Sequence, residues 1–99
     1  MMRVANMTSP RTGRPVANQF VITDCGRILF QSYESPIVEI DHNNMTITVY
    51  PHYDYSVTTA KYRNEFMSEH GFAKMATKKS FERYMNEGKI YGFTIIKEF

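Results

Sequence analysis

The apolar residues between positions 54 and 67 recur at helical rather than alternating spacing. At about 100° per residue, Thr59, Ala60, Tyr62, Phe66 and Met67 gather on one side of a helix, and Thr58, Lys61, Glu65, Ser68 and Glu69 gather on the other. Asp54 or Ser56 is the expected N-cap, and Gly71 stands where a left-handed residue ends such a helix. Upstream the period is two. Residues 2–8 alternate over a short run, and residues 17–23 and 27–33 flank Asp24-Cys25-Gly26 as a β-hairpin. Ser35-Pro36 interrupts this pattern. Residues 37–41 and 45–50 then flank His42-Asn43-Asn44 as a second hairpin, with Val38, Ile40, Met45, Ile47 and Val49 on the face to be buried.

After the long helix, Thr77 is placed to cap a second, shorter one whose apolar face carries Phe81, Tyr84 and Met85 and whose stop is Gly88. Residues 89–99 are apolar and β-branched, which suits a strand returning to the sheet. This order predicts an α+β fold: an antiparallel sheet of about five or six strands with two helices packed on one face, in a single domain over residues 1–99.

Composition narrows the function less than the fold. Twelve basic and ten acidic side chains leave a net charge of +2, which argues against an acidic DNA mimic and against a polycationic nucleic-acid binder. Cys25 stands alone, so there is no disulfide framework and no zinc spacing, and a reducing cytosol is the natural setting. His52-x-Asp54 is too short to be a metal motif, so neither a metal nor a cofactor is expected. Residues 1–8 lack the apolar core of a signal peptide, and no run approaches the ~18 apolar residues of a membrane span. With no Gly-x-Ser-x-Gly turn or His-Glu-x-x-His helix, and with Cys25 far from any base, the chain reads as a non-enzyme.

Arg63 is the residue that a plain structural helix does not need, because it falls with His70 in the apolar arc. A guanidinium there must find an acceptor. One reading pairs it with a carboxylate on a neighbouring strand, such as Glu39 or Asp41, or has it snorkel to water along its stem. The other has it reach an anion at the helix N-terminus, where Ser56 and Thr59 offer hydroxyls beside free backbone N–H groups. Arg11 and Arg14 bracket Gly13 in a proline-bounded loop, either a solvated hairpin connection or a second anion grip. Tyr33, Tyr53, Tyr55 and Tyr62 are available for stacking on a base. Lys78, Lys79 and Arg83 make the second helix basic on its solvent side.

Three blocks carry a family likeness: Thr8-Ser9-Pro10-Arg11-Thr12-Gly13-Arg14-Pro15-Val16-Ala17-Asn18-Gln19-Phe20, then Phe30-Gln31-Ser32-Tyr33-Glu34-Ser35, then Asp54-Tyr55-Ser56 to Thr59 with Lys61-Tyr62-Arg63-Asn64 and Phe66. Over residues 8–67 the chain resembles an uncharacterised family of small tailed-bacteriophage proteins. The resemblance implies a viral protein at work in the host bacterial cytoplasm and brings no family chemistry with it. The leading expectation is a non-catalytic binding protein in host takeover or anti-defence. It would sequester an anionic nucleotide-type signal, such as a cyclic nucleotide, with Arg11, Arg14, Arg63, Ser56, Thr59 and Tyr55 as the ligand-binding set, at an interface between copies of itself if it is a homo-oligomer. The alternatives are a protein inhibitor of a host defence factor, such as a CRISPR effector or nuclease, and a weak single-strand nucleic-acid binder.

Overall fold

The computed structural model describes residues 2–99. Seven strands form one sheet: β1 (Arg3–Thr8), β2 (Pro15–Asp24), β3 (Arg27–Ser32), β4 (Ser35–Asp41), β5 (Thr46–Val49), β6 (Lys89–Ile90) and β7 (Phe93–Lys97). Their spatial order is β1-β2-β3-β4-β5-β7-β6. The first five strands are a meander of antiparallel neighbours. β7 lies parallel to β5, and such a pairing requires a long crossover. That crossover holds both helices, α1 (Val57–Glu69) and α2 (Lys78–Glu87), with a 3-10 turn at Ala73–Met75 between them.

Register explains which face the helices cover. Phe30, Val38 and Val49 form one cross-strand row, and Ile28, Ile40, Ile47 and Ile95 form the next. Except for the half-buried Ile28, all of these are buried. Phe66 of α1 stacks on Phe30 at 5.7 Å between ring centroids, and Phe81 and Met85 bring α2 into the same core. The alternate rows, such as Leu29, Glu39, Thr48 and Ile96, lie on the uncovered face. Burial of the Val and Ile rows stabilises by roughly 1.5–3 kcal/mol per side chain before entropy is subtracted.

The helix ends follow local chemistry. Ser56 is the N-cap of α1, its Oγ accepting from Thr59 N, so of the two expected caps Ser56 takes the role. At the other end, Phe72 N donates to Met67 O at 2.8 Å across Gly71, whose φ is +92°; this is the Schellman closure that a left-handed residue permits. Thr77 and Ser80 form a capping box on α2, and Gly88 stops it at φ +82°.

Several features differ from the sequence expectation. The sheet has seven strands rather than five or six and is not wholly antiparallel. Met45, expected on the buried face, is 43 % exposed at φ +54° in the turn before β5, and Ile37, which simple alternation puts on the wet face, is buried. The last run is two strands, because Tyr91 and Gly92 adopt positive φ and turn the chain between β6 and β7. The expected hairpins are not separate: Tyr33 and Glu34 make a tight turn that joins β3 to β4, with Ser32 opposite Ser35. Pro36 sits inside β4 where the pairing shifts register, a place that tolerates the missing N–H. Asp41 also departs from a simple wet face. It is buried, and it closes its own turn by accepting from Asn43 N, Asn44 N and Asn44 Nδ2.

Candidate functional site

Where α1 begins, it meets the ends of β2 and β3 and the β3–β4 turn. Between them lies an open cleft of about 770 Å³. The helix side contributes Ser56, Thr58 and Thr59, with Tyr55 and His52 just before it, and the sheet side contributes Asn18, Ser32, Tyr33 and Glu34. His52 braces Tyr55 edge-on, with ring centroids 5.3 Å apart. The lining has hydroxyls, an amide, two phenol rings and one carboxylate, and no Lys or Arg.

The hydroxyls are ordered. Ser56 Oγ donates to Thr59 Oγ1 at 3.1 Å, and Thr59 Oγ1 and Ser32 Oγ lie 2.9 Å apart. A hydroxyl has one proton and two acceptor sites, so the Ser32–Thr59 contact can run in either direction, and the three hydroxyls form one connected chain at the cleft wall. Opposite Ser32 in the sheet stands Gln19. It is fully buried, and neither its Nε2 nor its Oε1 has a partner. Ser56 satisfies the N–H of Thr59, while helix geometry points the N–H groups of Val57 and Thr58 out of the N-terminus.

Two of the lining residues have left-handed backbone, Asn18 at φ +64° and Tyr33 at φ +56°. They are tied together, Tyr33 N donating to Asn18 O at 2.7 Å. Asn18 falls where the β1–β2 pairing slips between Asn6 and Thr8, and a bulge of this kind re-aims a side chain at a sheet end.

Of the residues expected to bind a ligand, Tyr55, Ser56 and Thr59 come together in this cleft, and the three arginines do not. Arg63 is 0 % exposed. Its Nη1 donates to Tyr53 O at 2.8 Å and to Asp54 Oδ1 at 3.3 Å, its Nε and Nη2 donate to Asn64 Oδ1, and its guanidinium lies over the Phe81 ring. Its carboxylate partner is therefore Asp54, not Glu39 or Asp41. Glu39 pairs with Arg27 on the open sheet face, and Asp41 is committed to its turn. Arg11 and Arg14 lie on the β1–β2 loop, which closes on itself: Gly13 N donates to Ser9 O, Ser9 N to Arg14 O, and the Arg11 and Arg14 N–H groups to Ser9 Oγ and Thr12 Oγ1. The backbone N–H groups of Ser9, Arg11, Gly13 and Arg14 are thus in use within the loop.

The charged network on the other flank of α1 is structural. Asp54 also binds Lys78 Nζ at 2.8 Å, and Lys78 with Arg63 holds its carboxyl below the usual range. Burial pushes the Arg63 guanidinium down, opposed by Asp54. Burial and a 2.6 Å hydrogen bond to Glu82 push the Tyr53 phenol up to about 12. Among the described residues, no group of three or more His, Cys, Asp or Glu side chains is placed to hold a metal ion. No helix is long and apolar enough to cross a membrane.

Tyr33 was expected only as one of four tyrosines available for stacking, and Asn18, Ser32, Glu34 and His52 were not expected at all. The one usable signal was the Tyr33-Glu34 pair between two β-periodic runs, a turn without glycine.

Together the fold and the cleft define a class: a small α+β protein whose helix-backed sheet opens a hydroxyl- and tyrosine-lined cleft at one helix N-terminus. The chain belongs to the DUF8033 family, a family of unknown function, whose model matches residues 2–83 and so takes in the whole cleft. No curated protein and no solved structure matches it.

Proposed function

We propose that the protein is a non-catalytic binding protein that captures a small nucleotide-type ligand in the cleft beside α1. The observation that carries this reading is the cleft itself, about 770 Å³ with two tyrosines and an ordered hydroxyl relay. That is within the size range of small-ligand pockets, which combine apolar surface with a few fixed polar groups. A phosphate on such a ligand falls to the Thr58 end of the helix N-terminus and its dipole rather than to arginine. Taken with the resemblance to small tailed-phage proteins, capture of this kind makes the ligand a host signal withdrawn from circulation, a role in host takeover or anti-defence.

The test is thermal melting against mono-, di- and cyclic nucleotides, in the wild type and in Thr58→Trp, which fills the mouth of the cleft. A ligand at ~100 times its dissociation constant adds about 2.7 kcal/mol. The expected result is a shift with one compound that disappears in Thr58→Trp. No shift across the panel, or a shift that survives the tryptophan, overturns the reading.

A second reading has its own observation. β1 is an edge strand, and Val4 within it and Met2 just before it are well exposed. An unblunted edge accepts an added strand from a partner protein, which is the contact a protein inhibitor would use. Co-purification with a host protein, lost in Ala5→Pro, tests it.

A further inference from the structure

The cleft is built from side chains that suit the base of a nucleotide better than its phosphate. Resting on the reading above, we infer that it takes a planar heteroaromatic ring of the nucleobase type, with Tyr33 as the stacking surface and Asn18 reading the ring's edge.

Charge comes first. Glu34 faces the cleft beside His52, and no Lys or Arg does, so the space offers no guanidinium or ammonium to hold a multiply charged anion inside it. Glu34 accepts hydrogen bonds, Asn18 both accepts and donates, and the Ser32 hydroxyl can do either, according to the direction of its bond to Thr59. This mixed set matches the alternating donors and acceptors on a base edge.

The rings come second. Tyr33 is 54 % exposed and Tyr55 is 72 % exposed. They reach the cleft from different elements, the β3–β4 turn and the approach to α1, and Tyr55 is braced by His52. A phenol face in water gains by stacking on a base, and the gain is tolerant of which base it is. Tyr33 also occupies a backbone conformation that glycine would adopt freely and tyrosine resists, so the ring is held at the cleft against local preference. Tyr91 provides an internal control. It has φ +50° and is 56 % exposed, but it lies on the β6–β7 turn, outside the cleft.

The experiment is an amide NMR titration of the full chain with adenosine, guanosine, cytidine and uridine, and in parallel with ribose 5-phosphate and inorganic phosphate. The expected result is saturable shifts at Asn18, Tyr33 and Tyr55 with at least one nucleoside. Tyr33→Gly should weaken that binding by roughly tenfold or more while melting no lower than the wild type. Tyr33→Phe should retain the binding, and Tyr91→Gly should leave it unchanged. If ribose 5-phosphate or phosphate alone shifts the cleft and no nucleoside does, the base assignment is overturned and the cleft remains a ligand site. Unchanged nucleoside binding in Tyr33→Gly, or a lowered melting temperature, also overturns it, the latter by making the ring a structural one. Silence at the cleft with all six compounds at millimolar concentration overturns both this inference and the reading it rests on.

Discussion

The first turn of α1 has two flanks, and they are built from opposite materials. On one flank Arg63, Asp54, Lys78, Tyr53 and Glu82 form a closed charged network between α1 and α2. On the other, Ser56, Thr59, Ser32, Asn18 and Tyr33 line an open cleft with no cation. Buried charge needs a complete set of partners, so the cationic side chain that looked most functional became the most enclosed. Hydroxyls and amides cost less to leave partly unmatched, so the space available to a ligand is lined mostly by uncharged polar groups, with Glu34 as its carboxylate. The buried cation marks the packing, and the hydroxyls and amides mark the opening.

Removing the buried cation should produce the largest effect. Arg63→Ala strands Asp54 beside one exposed lysine, leaves Tyr53 O without its donor and opens a void against Phe81, for a loss of about 3–5 kcal/mol in urea unfolding. A loss under about 1 kcal/mol would mean that the network is not a unit. On the cleft flank the sign should reverse. Gln19 has an amide with both polar atoms buried and unpartnered, so Gln19→Met should stabilise the free protein by about 1–3 kcal/mol. If the variant loses stability instead, Gln19 is satisfied by something in solution and the cleft wall is polar to a greater depth.

How much of this was legible depends on the range of the interaction. The caps at Ser56 and Thr77 and the stops at Gly71 and Gly88 are set by neighbours within a few residues, and they appear where the local pattern puts them. Val38, Ile40, Ile47 and Val49 are buried as alternation predicts, whereas Met45 is exposed and Ile37 and Asp41 are buried because the turn before β5 and the register shift in β4 override the period. Arg63 was legible as a residue in need of an acceptor, but not as the partner of Asp54, nine positions back; Glu39 and Asp41 were equally eligible until strand pairing gave Glu39 to Arg27 and a tight turn took Asp41. The cleft was half legible. Tyr55, Ser56 and Thr59 lie on the helix that the pattern located, whereas Asn18 and Tyr33 enter it through positive-φ backbone that only the pairing of β1, β2, β3 and β4 imposes.

Ser56→Ala should cost about 1 kcal/mol as a lost N-cap, and it should also free the Thr59 hydroxyl from one of its two partners. In the proposed ligand's presence the loss should be greater than in its absence, which a melt with and without nucleotide reads directly. A smaller effect belongs to pH. His70 packs on Phe66 at 4.7 Å, and burial, followed by the proximity of His42, lowers its pKa. The unfolded chain therefore takes up the proton first as pH falls. Stability should be full above about 6.5, the ordinary histidine value, and should decline below it. His70→Gln should flatten that decline.

The smallest effect should come from the shortest ion pair. Lys78 Nζ lies 2.8 Å from Asp54 Oδ2, closer than the 3.3 Å between Arg63 Nη1 and Asp54 Oδ1. If distance set the energy, Lys78→Ala would rival Arg63→Ala. Burial decides otherwise, because the Lys78 side chain is 60 % exposed and that of Arg63 is not exposed at all. Water solvates the ammonium almost as well as Asp54 does, and holding a long side chain in one place costs entropy. Lys78→Ala should therefore cost little, and that small loss should fade in 1 M salt, where the screening length falls to about 3 Å. The loss in Arg63→Ala should persist in the same salt. Should the two losses come out alike, or both vanish with salt, Asp54 anchors a solvated cluster and the closed flank of α1 is not closed.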